Sequence, residues 1–340
     1  MARIDYAVHG HGRGHASRAR AVIARLLSEG HSVQVFAGGD GVSLLADLAD
    51  VRPRAPLLPG RGAVRALLSR GHEDAARLRS ERPDLVITDG DQAIVLGARR
   101  AGVPSLAIGH DLVFSACVLP RGLPPLSLVR ERLNSVVPTR LADARIAVHF
   151  LPLEARLANT RVARPLTPPD LASPRDEADA RALPSEPFLL AYLSDGDREA
   201  VVARLAEADL DVVVFGEGVR ARGRVRVEPV SRERFVAHLR RAQGVVATAG
   251  SNVLAECVLT QKPVLALHTG VHHEQALNAA LVARAKVGDA LRIEDLNVPS
   301  IRAFAARAAA KSFAHVDLAG ALAPLDEVAL ESVKALLASR

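Results

Sequence analysis

Short apolar runs recur along the chain, each closing on a polar or glycine-bearing turn and leading into helix-compatible text. Arg3 to Val8 ends in the glycine-rich stretch Gly10–Gly14. Ala16 to Ser28 then keeps helical spacing as far as Gly30, a position where a left-handed residue commonly closes a helix. Ser32 to Ala37 alternates like a strand and turns at Gly38-Gly39-Asp40. Asp84 to Thr88 and Ser105 to Ile108 read as buried strands flanking a helix over Ala93 to Ala101. Strand–helix–strand units of this kind require a parallel sheet covered on both faces. Such a sheet gathers its functional groups at the strands' carboxyl ends.

The series breaks once. From Arg164 to Pro187 the text, RPLTPPDLASPRDEADARALPSEP, is proline-rich with acids and small residues, and reads as a connector. Beyond it Phe188 to Leu193, Asp211 to Phe215, Gly244 to Thr248 and Pro263 to Leu267 are strand candidates separated by helical stretches. A length of 340 residues suits two cores rather than one. The expected architecture is α/β, with two doubly wound, Rossmann-like domains over 1–163 and 188–340. The proline-rich linker 164–187 joins them, a cleft is expected between them, and the last helix is a candidate to pack back on the first domain.

Composition removes several classes. With 49% hydrophobic and 24% charged residues the chain is globular rather than disordered. No apolar run approaches the roughly 18 residues of a membrane span, and MARIDYAVHGHGRGH turns polar too early for a signal peptide. Two cysteines, Cys117 and Cys257, cannot build a disulfide framework or a thiolate metal site, so a cytoplasmic protein is expected. Eight Phe, two Tyr and no Trp leave little material for stacking single-stranded bases, and no helix-turn-helix or zinc-finger text is present. No nucleic-acid partner is expected. Charge is uneven: residues 1–170 carry 23 basic and 16 acidic side chains, net +7, whereas 171–340 carry 21 and 22, net −1. Arginine-rich coding bias is one reading. The other is an anionic partner or a peripheral membrane contact for the first half.

Three segments can carry chemistry. His9-Gly10-His11-Gly12-Arg13-Gly14-His15 joins the first strand to the first helix, where glycines let the backbone approach a ligand and the helix start favours an anion. No Gly-Lys-Ser/Thr follows, so it is not a P-loop. The glycine spacing misses the dinucleotide fingerprint. The histidines lack a carboxylate or cysteine to complete a zinc site. A neutral imidazole at a helix start can accept a proton, which makes His15 the candidate base, with a helix-capping or loop histidine as the plain alternative. Asp89 and Asp111, at strand ends, are candidates to orient it.

The second segment runs from Val245 to Glu256, a strand, the turn Ala249-Gly250-Ser251 and a helix start. Free amides and a hydroxyl there suit a diphosphate, and a carboxylate at Glu256 suits a ribose diol. A capped helix with a solvated glutamate is the alternative. The third segment, Lys262 to Ala279, delivers Glu274 and Gln275 at another strand end, as sugar contacts or as a plain surface helix. Asp89-Gly90-Asp91 and Asp195-Gly196-Asp197 each spell a carboxylate pair able to hold a divalent ion, but also read as polar turns. No metal is assigned.

Taken whole, AGSNVLAECVLTQKPVLALHTGVHHEQALNA resembles the donor-binding signature of GT-B glycosyltransferases: a Gly-rich turn, a helix Glu, a Lys-Pro strand and a closing Gln…Asn-Ala in this order. GHGRGHASR resembles the acceptor-side loop of the same superfamily. The branch it is most similar to is related to the lipid II N-acetylglucosaminyltransferase of peptidoglycan synthesis. The resemblance implies that Gly250, Ser251 and Asn252 face a diphosphate, with Ser194 adding a phosphate contact. It implies Glu256 on the ribose, Glu274 and Gln275 on the sugar, and Asn278 closing the pocket. His15 falls near the reacting centre, with Gly12, Arg13, Gly14 and Asp111 on the acceptor side.

The expectation is a metal-independent, hexosyltransferase-like enzyme that needs no cofactor. It would move a sugar from a nucleotide-sugar, UDP-sugar first, to an acceptor hydroxyl with inversion. An anionic or lipid-linked acceptor follows from the charge of the first half. A nucleotide-sugar 2-epimerase of the same fold and a non-catalytic nucleotide-sugar-binding partner of a transferase are the alternatives.

Overall fold

The computed structural model describes residues 1–10, 13–57, 60, 62–165, 187–194, 196–216 and 218–339, with only the main chain of Arg13. Most of the expected linker, together with Gly12 and Asp195, lies outside the described residues. The chain divides into two compact units. The first is Met1–Leu119, Glu131–Leu166 and Leu322–Arg340; the second is Pro120–Arg130 and Thr167–Ala321. Two segments therefore belong to the other unit from the one their sequence position suggests: 120–130 joins the second unit, and the final helix joins the first.

In the first unit the order is β1 (Arg3–Val8), α1 (Arg13–Ser28), β2 (Ser32–Ala37), α2 (Asp40–Leu45), β3 (Val51–Pro53), α3 (Ala63–Glu81), β4 (Leu85–Asp89), α4 (Gln92–Ala101) and β5 (Ser105–Gly109). Then follow α5 (Leu112–Ala116), α6 (Pro125–Asn134), whose residues 125–130 belong to the second unit, α7 (Val136–Leu141), β6 (Ala144–Val148) and β7 (Thr160–Ala163). The seven strands are parallel in the order β3-β2-β1-β4-β5-β6-β7. Central β1 sets the register: Tyr6 pairs with Val35 on one side and Ile87 on the other.

One face of this sheet, with Ile4, Tyr6, Ile87, Ile108 and Val148, packs against Val22, Ile23 and Leu26 of α1. Leu325, Val328 and Val333 of the C-terminal helix Leu325–Ala338 join the same core. On α3 and α4 two glycines allow close contact: a Cβ on Gly97 would lie 2.5 Å from the Asp74 Cβ, and one on Gly71 would lie 2.7 Å from Leu96. Beside that crossing Arg54 binds both oxygens of Asp74, at 2.8 and 2.6 Å, and reaches Asp91 at 2.5 Å. Asp91 also caps α4 by accepting from the amides of Ala93 and Ile94.

The second unit repeats the plan with β8 (Leu189–Tyr192), β9 (Val212–Phe215), β10 (Val225–Glu228), β11 (Gly244–Thr248), β12 (Val264–His268) and β13 (Gly288–Arg292). All are parallel, ordered β10-β9-β8-β11-β12-β13. Its core joins Leu189, Val214, Val246 and Leu265 to Val202 and Leu205 on one helix and to Ile301 and Phe304 on another. Among the described residues no helix is long and apolar enough to cross a membrane.

A histidine pair is built into the first core. His149 is fully buried and its ring stacks on His110 at 5.2 Å and on Phe150 at 4.2 Å. Its Nδ1 accepts from the Leu151 amide at 3.0 Å, while no partner among the described residues reaches its Nε2. Burial, and then the neighbouring His110, push His149 well below the usual histidine value, so it is neutral in the fold. The unfolded chain then takes up the extra proton. The stability this group contributes is complete above about pH 6.5 and is lost as pH falls below it. Denaturant unfolding between pH 7 and 5 is expected to lose stability with a slope that His149→Gln reduces by up to about 1.4 kcal/mol per pH unit. Equal slopes in the two proteins would remove this assignment.

Candidate functional site

At the carboxyl edge of the first sheet, the end of β1 is tied to the end of β4: the His9 amide donates to the Asp89 carbonyl at 2.8 Å. Helix α1 begins at Arg13, earlier than expected, so Gly14 and His15 sit in its first turn rather than in a loop. This corrects the acceptor-side loop assignment of Arg13 and Gly14. Between the strands lies Gly90, with φ of 83°. A Cβ there would come within 2.9 Å of the His9 side chain and 3.0 Å of the His15 ring. The absence of that Cβ lets both histidines lie over the β4–α4 turn.

His15 Nδ1 stands 2.6 Å from Asp89 Oδ1. The Asp89 carboxylate is completely buried, whereas the His15 side chain is 31% exposed. Arg18, one turn further along α1, donates from Nε to Oδ2 at 2.8 Å and from Nη2 to Oδ1 at 2.5 Å. Burial alone would raise the Asp89 carboxyl. Arg18, followed by His15, more than offsets this and holds it below the ordinary carboxylate value. An ionised Asp89 therefore accepts Nδ1–H of His15 and leaves Nε2 as the acceptor.

Gly90 also lines a shallow cleft with Thr88, Asp91, Gln92, Ile108, Asp111, Leu112 and Pro138. Asp111 thus belongs to the wall of this cleft. Asp89, not Asp111, orients His15.

In the second unit β11 ends at Thr248, and the Asn278 amide side chain, fully buried, donates to the Ala249 carbonyl at 3.0 Å. Asn278 thus holds the backbone of the turn that follows β11. Gly250 is the N-cap of the helix Ser251–Leu259 and, as glycine, offers no side-chain cap. The first amides of such a helix start are donors that suit a ligand or solvent. Ser194 Oγ meets Thr248 Oγ1 at 2.6 Å, joining the end of β8 to the end of β11.

Glu256 has its side chain 13% exposed and carries an ion pair with Arg232 Nη1 at 2.7 Å. A plain solvated glutamate is therefore not what stands there. Arg232, like Thr248, is absent from the sequence-level set because its partner lies 24 residues away. Glu274 and Gln275 occupy the first turn of the helix His273–Arg284, half-buried. Residues 120–130 approach the same helix: Ser127 Oγ lies 3.1 Å from His273 Nδ1, and Arg284 donates to the Gly122 carbonyl at 3.0 Å.

Three of the four Asp-x-Asp carboxylates have other employment, and Asp195 lies outside the described residues. Asp89 and Asp91 are held by Arg18 and Arg54, and Asp197 caps the helix Arg198–Glu207 through the Ala200 amide at 3.0 Å. Among the described residues no group of three or more His, Cys, Asp or Glu side chains is placed to hold a metal ion.

Residues 2–56 and 70–309 match the family described as Glycosyl transferase family 1. An uncharacterized glycosyltransferase of Methanosarcina acetivorans is 25% identical over 316 residues, spanning 82% of this chain and 81% of that protein. Among solved structures, the calicheamicin glycosyltransferase CalG4 superposes with a TM-score of 0.66 at 17% identity, over 99% of this chain and 98% of that one. MurG of Acinetobacter baumannii gives 0.64 at 17% identity over 98% and 100%. The glycosyltransferase VinC in complex with dTDP gives 0.61 at 16% over 99% and 100%. At these identities the structures speak for the fold, which is GT-B. With the family match running through both sheets, the chain belongs to glycosyl transferase family 1.

Proposed function

We propose that this glycosyltransferase moves a hexose from a pyrimidine nucleoside-diphosphate sugar, UDP-sugar first, to an acceptor hydroxyl with inversion at the anomeric carbon. The observation that carries the reading is the His15–Asp89 pair, a half-exposed imidazole aimed by a buried carboxylate beside a cleft. His15 Nε2 removes the acceptor proton as the acceptor oxygen attacks the anomeric carbon. The bond from that carbon to the diphosphate oxygen breaks, and Asp89 stabilises the imidazolium.

The departing diphosphate meets the uncapped amides of Ser251 and Asn252 and the hydroxyls of Ser251 and Ser194. These supply the electrostatic stabilisation without a metal ion. Glu256, steadied by Arg232, accepts from the ribose diol, and Glu274 and Gln275 bind the sugar hydroxyls. That VinC was solved with dTDP supports a pyrimidine nucleotide.

For the acceptor, the carboxylates of Asp91 and Asp111 on the cleft favour an uncharged, hydroxyl-bearing group next to His15. An anionic or lipid-linked remainder is served elsewhere. Helix α6 exposes Leu126, Val129 and Leu133 at 66%, 54% and 63%, with Arg130 exposed on the same helix. This basic, apolar surface and the +7 charge of residues 1–170 support a peripheral contact with an anionic membrane at the cytoplasmic side.

His15→Ala is expected to cut turnover about 10²- to 10⁴-fold while donor affinity stays near normal. Unchanged turnover would remove the base assignment. Glu256→Ala is expected to weaken nucleoside-diphosphate binding by about 10- to 100-fold in calorimetry; equal affinity would count against the ribose contact. A thermal-shift panel of UDP, dTDP and GDP ranks the base, since a ligand stabilises in proportion to its affinity. Stabilisation by GDP above both pyrimidine nucleotides would overturn the donor class.

A further inference from the structure

We propose that Arg18 is a positioning residue that holds the Asp89 carboxylate in place and the His15 imidazole aimed, by sharing Asp89 with it. The inference rests on the reading of His15 as the base. Three distances carry it. One guanidinium nitrogen, Nη2, lies 2.5 Å from Asp89 Oδ1 and 3.1 Å from His15 Nδ1, while His15 Nδ1 lies 2.6 Å from that same oxygen. Nε of Arg18 occupies the other oxygen at 2.8 Å. The Arg18 side chain is 9% exposed and the carboxylate is fully buried, so water does little to screen the three charges from one another. Positions 15 and 18 stand three apart on α1, on one helix face, so the arrangement is written into the local sequence.

A carboxylate alone beneath a histidine raises the imidazole's proton affinity, and a fully buried carboxylate takes up a proton readily itself. The guanidinium works against both. It keeps Asp89 ionised, and as a second cation 3.1 Å from Nδ1 it opposes the imidazolium. Among the described residues three other groups lie near the pair. The His9 ring stands edge-on at 5.5 Å between centroids, the Tyr6 hydroxyl is buried below Asp89 with its ionisation pushed well up by burial, and Asp111 acts on Arg18 through its charge. Among the described residues Arg18 is the cation in contact with both members of the pair, which a brace for Asp89 alone would not require.

The test follows the His15 ring by NMR in the ligand-free protein, and the acid limb of kcat/KM for nucleoside-diphosphate release. Arg18→Met is expected to move both titrations upward by about one pH unit or more, with nucleotide affinity unchanged in calorimetry. Arg18→Lys, which keeps the charge but not the two-pronged hold, is expected to shift them in the same direction by less. If Arg18→Met does not fold, the lysine variant decides. A folded variant whose His15 titration coincides with that of the parent would overturn the proposal and leave Arg18 a structural brace. Failure of the base reading is separable: His15→Ala would then retain turnover, while the Arg18 variants would still displace the His15 ring titration.

Discussion

A parallel sheet must hide both of its faces, and that constraint organises both units. Strands such as β4 (LVITD) and β11 (GVVAT) are buried at every position. Polar chemistry is therefore excluded from the strand bodies and pushed to the turns that follow their carboxyl ends. Asp89 is the extreme case: the last residue of β4, wholly buried and charged. A charge in that place needs partners, and helix α1 supplies His15 and Arg18 together. The same rule in the second unit puts Thr248 at the end of β11, where its hydroxyl joins Ser194, and leaves the uncapped start of the next helix beside them. Each unit thus contributes one chemically distinct set: a proton acceptor in the first, an anion-binding helix start in the second.

What the sequence made legible followed from burial. The strands Arg3–Val8, Ser32–Ala37 and Gly244–Thr248 lie where their apolar text begins and ends, because central strands carry an uninterrupted signal. The edge strands were not legible. β3 is three residues long, partly exposed and ends in Pro53; β7 is TRVA, with Arg161 exposed; β13 is GDALR, half-buried at best beyond its glycine. A strand paired on one side needs less hydrophobic text, and charged residues on it discourage edge-to-edge association. The final helix is a candidate for the first domain from the sequence, whereas the assignment of 120–130 to the second unit is illegible for a different reason. Tertiary packing decides it, through contacts such as Arg284 to Gly122 that no local pattern encodes.

The site divides the same way. Residue types placed by a motif, such as His15, Ser251, Glu256 and Glu274, could be read from spacing and resemblance. Their partners are less legible: Asp89 is a candidate from its place at a strand end, but nothing in the text singles it out from Asp111. Asp89 stands 74 residues from His15, Arg232 stands 24 from Glu256, and Thr248 stands 54 from Ser194. Asn278 shows the converse: a residue read from a motif also holds the backbone, here the Ala249 carbonyl, through a contact that no spacing encodes.

The central claim is that sugar transfer runs on the oriented pair His15–Asp89. It is tested most directly by Asp89→Asn, which preserves shape but removes the charge that fixes the imidazole and stabilises its protonated form. Release of nucleoside diphosphate from a UDP- or dTDP-sugar, measured beside calorimetric donor affinity in the same folded protein, reads the two roles apart. The account predicts a loss in turnover of about 10² or more with nucleotide affinity within a few-fold of the parent. Turnover retained within a few-fold, in a folded variant that still binds nucleotide, would contradict it.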